Sequence, residues 1–216
     1  MFRLDPHIHS RFSPDSHSRI SDILNVAGER NIDIIGISDH NTVDGNSYAR
    51  TLKQDDILII PSIEISSSEG HILGFGCEEK IPEGLSPGET IDLIHDHAGI
   101  AIVPHPFCFY RHGLLHNTDE KLNFDAIETK NARFIIGYCN GKALKLSKKQ
   151  DIPELGASDA HYHKFVGDCY TEIDCEKDID SVLKSIVKGK TKACGNGTSN
   201  VKLSKYLFDK NFLKKI

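Results

Sequence analysis

No apolar run in the sequence approaches the roughly 20 residues that a membrane-crossing helix needs, so a membrane partner is not expected. The first ten residues, MFRLDPHIHS, lack the apolar stretch of a secretory signal, and the expected location is the cytoplasm. The six cysteines, Cys77, Cys108, Cys139, Cys169, Cys175 and Cys194, include no Cys-x-x-Cys pair, which points to free thiols rather than a disulfide scaffold. Basic charge is also scarce: 26 Lys and Arg against 31 Asp and Glu leave a net charge of -5, no footprint for a stable nucleic-acid grip. The Lys-rich stretch from Lys202 to Lys215 is locally positive and reads as a solvated terminal helix, with residues 196–216 part of the same domain. Internal repeats and low-complexity linkers are absent, and 216 residues suit a single compact domain.

What the sequence has is an alternation of short apolar runs with segments of helical period, the pattern of strands joined by helices around a mostly parallel sheet. Strands are expected at Phe2 to His9, Asp33 to Ser38, Ile57 to Ile65, His71 to Gly76, Gly99 to Pro104, Asp125 to Glu128 and Leu155 to Ser158. The third and fourth should form a hairpin turned at Glu69-Gly70. Helices are expected where Ile20, Ile23, Leu24 and Ala27 recur, with Ser18 as N-cap, then at Val43 to Leu52, Glu89 to Ala98, Gly141 to Lys149 and Ile179 to Val187. Seven or so units in this length predict an α/β fold, a small or distorted barrel rather than a full eight-unit one of about 250 residues.

Of 12 histidines, several fall with acidic residues at the C-terminal ends of successive strands, where barrel active sites are built. Asp5, His7 and His9 close the first strand with period two. Asp39 and His40 follow the second, Glu64 ends the third, His71 opens its hairpin partner, His105 follows the fifth, and Asp159 and His161 follow the seventh. So many buried imidazoles and carboxylates need compensation, and divalent cations provide it. Nitrogen and oxygen donors without thiolate favour zinc, manganese or iron, and a bridging carboxylate such as Glu64 is the usual link between two ions. Each element alone has a plainer reading: a His-x-His pair on a strand is more often exposed, and Ser-Asp-Ala-His can be a turn with a helix cap. His17, His95, His97, His112, His116 and His163 are expected outside the ligand set. Only coincidence on strand ends lifts the others above that background.

The motifs Asp5-Pro-His7-Ile-His9-Ser10 with Ser13-Pro-Asp15, Ser38-Asp39-His40-Asn41, Ile63-Glu64-Ile65-Ser66, Gly70-His71-Ile-Leu-Gly74, Pro104-His105-Pro106 and Ser158-Asp159-Ala-His161 resemble those of PHP (polymerase and histidinol phosphatase) domains, over Asp5 to about Gly195. The resemblance implies a distorted seven-stranded, TIM-like (β/α)7 barrel with two or three divalent metals (Zn, Mn or Fe) at the strand ends. By position it implies a first metal on His7, His9, Glu64 and Asp159, with Glu64 bridging to a second on His71 and His105, and a third on Asp15, His40 and His161. The compact form resembles the stand-alone phosphoesterases of the family.

The expected activity is hydrolysis of a phosphomonoester, or of a small nucleotide or short oligonucleotide phosphoester, by a hydroxide bridging two cations. Asp159, His161 and His40 are the expected catalytic residues. Arg111, in the long loop 107–122, and Arg133 are the candidate substrate-binding cations. Hydrolysis of an amide or cyclic amide at such a site, or a metal-binding regulatory module without turnover, remain the alternatives.

Overall fold

A computed structural model describes residues 1–52, 56–116, 122–133, 137–199 and 204. Among the described residues nine strands form one mixed sheet: β1 (Phe2–Ile8), β2 (Ile34–Ile37), β3 (Leu58–Ser66), β4 (His71–Phe75), β5 (Ile100–Val103), β6 (Ala126–Asn131), β7 (Glu154–Ala157), β8 (Cys169–Ile173) and β9 (Thr191–Gly195). Their order is β7-β6-β5-β4-β3-β2-β1-β8-β9. Strands β1, β2 and β3 run parallel, as do β5, β6 and β7, while β4 is antiparallel to both its neighbours and β8 is antiparallel to both of its own.

The sheet curls until its ends meet, giving a nearly closed barrel. Past the end of β7, the Ala160 carbonyl accepts a hydrogen bond from His9 N at 2.9 Å, just beyond β1. Lower in the seam the Thr171 hydroxyl of β8 donates to the Gly156 carbonyl and accepts from its N–H, both at 2.9 Å. That hydroxyl takes the place of a missing ladder pair, so the open edge of β7 is satisfied without another strand.

The expectation of seven strands falls short by the antiparallel pair β8 and β9. Neither is an apolar run: Cys-Tyr-Thr-Glu-Ile and Thr-Lys-Ala-Cys-Gly mix polar and apolar residues because only one face of each is covered. The buried strands were legible for the opposite reason. β2 and β5, Ile-Ile-Gly-Ile and Ile-Ala-Ile-Val, are covered on both faces and apolar throughout.

Helices α1 (Ile20–Glu29), α2 (Asp44–Ala49), α3 (Pro87–Asp96), α4 (Tyr138–Gln150) and α5 (Ile179–Val187) connect the strands. Helix α1 buries Ile20, Ile23, Leu24 and Ala27, the four residues whose spacing predicts it. Its N-cap is Arg19, without a side-chain cap bond, rather than the expected Ser18, whose hydroxyl is drawn to the His161 carbonyl 3.4 Å away. Helix α3 starts earlier than expected, because Ser86 and Glu89 form a reciprocal capping box and Pro87 occupies the first turn. The expected terminal helix at Lys202 to Lys215 lies outside the described residues except for Ser204. No helix among the described residues is long and apolar enough to cross a membrane.

Candidate metal centre

Six of the strands point their C-terminal ends, and β4 its N-terminal end, toward one rim. His71 reaches this rim because it lies directly across the hairpin from Ser66 at the end of β3. All nine residues expected as ligands gather there, in four overlapping groups: His9 with Asp15, His40 and His161; His7 with His105 and Asp159; His7 with His9 and Glu64; and His40 with Glu64 and His71. Within each group the donor atoms lie within 4.8 Å of one another.

Glu64 is the centre of the arrangement and is buried. Its Oε2 lies 3.1 Å from His9 Nε2, 3.3 Å from His7 Nε2 and 3.3 Å from His40 Nδ1. Its Oε1 faces the other way, 2.8 Å from His71 Nδ1 and 3.0 Å from His105 Nε2. One carboxylate therefore presents an oxygen to each of two imidazole sets, the disposition of a bridging ligand. Asp159 Oδ1 adds a further donor 3.7 Å from His9 Nε2 and 3.9 Å from His7 Nε2. On the outer side Asp15, about half exposed, approaches His161 Nε2 at 2.7 Å and His40 Nε2 at 3.6 Å.

The charges explain one another. Burial works against ionising Glu64, yet His7, His71 and His40 hold its carboxyl well below the usual range. Asp159 is likewise buried and held low by Arg111, His7 and Arg133. Burial opposes a charge on His7, but Asp159, Glu64 and Glu128 raise its pKa well above that of an ordinary histidine. Burial and the neighbouring His161 push His9 the other way. Two adjacent imidazoles of opposite tendency, with anions on every side, form a site preset for a cation.

Three further observations test whether divalent ions fit. His7 Nε2 and His9 Nε2 face each other at 2.9 Å beside the Glu64 and Asp159 oxygens, and separations of about 3–4 Å are those of ligands that share an ion at 2.0–2.2 Å. Among the described residues His105 Nδ1 is buried without a hydrogen-bond partner, a donor or acceptor left for something else. No cysteine belongs to any of the four groups, so the donor set is wholly nitrogen and oxygen. The residues fit metal ions.

Comparison with known proteins agrees with this frame. The PHP-associated family (PHP_C) matches residues 137–191. An uncharacterized protein of Methanocaldococcus jannaschii is 35% identical over 153 residues, covering 66% of this chain and 89% of that protein. The fold resembles a two-domain protein of Bacteroides vulgatus containing a predicted PHP-like metal-dependent phosphoesterase, with a TM-score of 0.67 and 16% identity over 90% of this chain. It also resembles the lesion-specific endonuclease PfuEndoQ of Pyrococcus furiosus, with a TM-score of 0.68 and 16% identity over 89% of this chain. This chain spans 65% of the first of these solved structures and 57% of the second. The chain belongs to the PHP domain family.

Two acidic residues of the PHP motifs do not face the cluster. The Asp5 carboxylate accepts hydrogen bonds from Ser158 N at 3.0 Å and Gly167 N at 2.8 Å, pinning the loop after β7 to β1. Asp39 accepts from both the backbone and the hydroxyl of Ser10 at 2.6 Å. Burial pushes both carboxyls up to about 6. They brace the loops that carry His9, His40 and Asp159.

The two candidate arginines do reach the PHP rim. Arg111, in a 3-10 turn at Phe109–Arg111, forms an ion pair with Asp159 Oδ2 and lies 3.4 Å from Asn131 Oδ1. Arg133 places Nη1 2.8 Å from His161 Nδ1 and 3.3 Å from Asp159 Oδ1. Both line a cavity of about 400 Å³ with His40, Glu64, His71 and His105. His95 and His97 lie away from it, 2.8 Å from Asp125 and 3.6 Å from Glu79 respectively.

Two buried residues at the rim are not among the expected site residues, Glu128 and Asn131 of β6. Glu128 Oε1 lies 2.8 Å from His7 Nδ1, and its Oε2 accepts from His105 N at 2.9 Å and from Asn131 Nδ2 at 2.8 Å. Three residues apart on a regular strand, they would face opposite sides. A register irregularity between Glu128 and Lys130 in the pairing with β7 turns both inward.

Proposed function

We propose that this protein is a metal-dependent phosphoesterase acting on a phosphomonoester, or on the phosphoester of a small nucleotide or short oligonucleotide. The observation that supports this most is the presence of two guanidiniums, Arg111 and Arg133, in the cavity lined by six of the nine donors, Asp15, His40, Glu64, His71, His105 and His161. A planar, permanently charged fork matches paired phosphoryl oxygens, whereas an amide offers it one neutral carbonyl oxygen.

In this reading His7, His9, Glu64 and Asp159 hold one ion, Glu64 shares a second with His71 and His105, and Asp15, His40 and His161 provide a third set of donors. The ions, when bound, lower the pKa of water and neutralise charge that builds on phosphoryl oxygens. The protein's own groups do the rest. Arg133, about one-third exposed, and the more buried Arg111 orient the phosphoryl group against the rim. Glu64 and Asp159, held ionised by their surroundings, keep the donor set anionic.

Protonation of the leaving oxygen falls to His40 or His161 where the third donor set holds no ion. Both line the open cavity, and Glu64 and Asp15 keep the pKa of His40 raised despite its burial. The test is elemental analysis of protein purified without added metal, followed by assay on a panel of sugar phosphates, nucleotides and short oligonucleotides. Turnover that depends on the bound metal is the expected result. Complete inactivity of protein with confirmed metal content would remove the phosphoesterase reading.

A further inference from the structure

We propose that Glu128 and Asn131 form a positioning pair that sets the aim of three donors from three different strands. The proposal rests on the reading of the cluster as a metal centre. Neither residue belongs to any of the four donor groups, and both are fully buried. A buried carboxylate that is not itself a ligand costs stability unless its oxygens are well partnered. Glu128 meets that requirement in a particular way: every partner is part of the donor framework or leads to it.

Its Oε1 takes the Nδ1 side of the His7 ring at 2.8 Å. With Nδ1–H committed to Glu128, the Nε2 lone pair of His7 is left for the rim, where it faces His9, Glu64 and Asp159. Its Oε2 accepts the backbone N–H of His105, the residue whose positive φ of 31° swings the ring back over the barrel mouth. The same oxygen accepts from Asn131 Nδ2, and that amide also donates to Asp159 Oδ2 at 2.8 Å. Asp159 Oδ2 is thus engaged, while Oδ1 is the oxygen nearest the two imidazoles.

Asn131 is itself held. Its carbonyl oxygen accepts from Arg133 N at 3.0 Å, and its own backbone N–H is taken by Asn140 Oδ1 at 3.1 Å. The chain of bonds therefore runs from α4 through β6 to β1, the start of the loop after β5 and the end of β7. The irregularity in β6 is what allows two residues three apart to meet at one point. Carboxylates and amides placed behind metal-binding imidazoles in this manner raise ligand basicity and fix ring orientation, and their loss typically costs 10–100-fold in metal affinity.

The experiment measures zinc affinity of the full chain by competition with a chromophoric chelator, for wild type, Glu128→Gln and Asn131→Leu. It is paired with NMR detection of the His7 ring N–H proton in cadmium-loaded protein. Wild type should show a protected Nδ1–H on His7. Glu128→Gln should lose that protection and bind zinc 10–100-fold more weakly with unchanged stoichiometry; Asn131→Leu should weaken zinc binding while keeping the His7 proton. If Glu128→Gln fails to fold, Asn131→Leu and the wild-type proton signal still decide. Equal zinc affinity in the folded variants, or a wild-type His7 bound through Nδ1, overturns the proposal. A wild-type chain that takes up no zinc, manganese or iron removes the metal reading itself, a result distinct from either.

Discussion

Arg133 Nη1 lies 2.8 Å from Nδ1 of His161 and 3.3 Å from Oδ1 of Asp159, so one cation covers two donors of the cluster. A phosphoryl group entering the cavity meets this guanidinium together with that of Arg111. Arg133→Lys and Arg111→Lys keep the charge and lose the fork. Each is expected to lower kcat/KM for a phosphoester by on the order of 1.5–3 kcal/mol, the scale of charged hydrogen bonds. For Arg133→Lys the metal content should be unchanged, measured on the same preparation. Wild-type kinetics in both variants would detach the arginines from substrate binding.

Glu64 touches five imidazoles, and Asp159 faces two of them from the other side. Glu64→Gln and Asp159→Asn each remove an anionic donor while keeping side-chain volume, so metal content and turnover should fall together with the fold largely retained. His95→Ala and His97→Ala supply the contrast. These rings sit on α3 or at its C-terminal end, against Asp125 and Glu79, and their loss should leave metal content intact and change stability by no more than about 1 kcal/mol. Elemental analysis of the four variants distinguishes the two groups.

Burial raises the Asp5 carboxyl from an ordinary 3.8 to about 6, so between those values the folded chain binds a proton that the unfolded chain releases. The contribution of this group is fully present below about pH 4 and is lost as the pH rises through 6, to the extent of on the order of 3 kcal/mol at roughly 1.4 kcal/mol per pH unit. Asp5→Asn removes the titration. In urea unfolding with chelator present, wild type should therefore lose stability relative to Asp5→Asn between pH 4 and pH 6. A stability difference constant over that range would contradict the assignment.

Gly156 is where β7 passes against β8, and a Cβ there would run into the Tyr170 carbonyl oxygen. Gly156 is held by its pairing with Lys130 of β6 and Tyr170 by its pairing with Cys194 of β9, so neither can move aside cheaply. Gly156→Ala should open the seam closed by Thr171, at a cost on the order of 1–3 kcal/mol in thermal or urea unfolding. Asp159 follows on the same turn, so metal affinity should weaken as well.

Much of the candidate site was legible because its expected donors fall at strand ends. Glu64, His105 and Asp159 each close or follow a short apolar run, too short for a helix and bounded by turn residues. Glu128 was read as the end of a strand but not as part of the site, and Asn131 was read only as part of the stretch that carries Arg133. Their convergence depends on one irregular residue in β6 that no periodicity reveals. Asp5, which the spacing groups with His7 and His9 on β1, instead accepts from the N–H groups of Ser158 and Gly167.

By itself the sequence determined which side chains could hold a cation, since imidazole and carboxylate chemistry is carried by residue type and the strand ends follow from apolar runs. It determined the hairpin that returns His71 to the rim, because Glu69-Gly70 leaves little room for another path. Tertiary structure alone decided that the sheet has nine strands, since β8 and β9 are covered on one face only and carry no distinctive pattern. It also decided how the barrel closes, through a threonine hydroxyl in place of a ladder pair, and which carboxylates face the cluster rather than brace the loops around it. Those outcomes depend on distances between segments more than a hundred residues apart, such as Glu128 to His7 and Asp5 to Ser158, which no local pattern encodes.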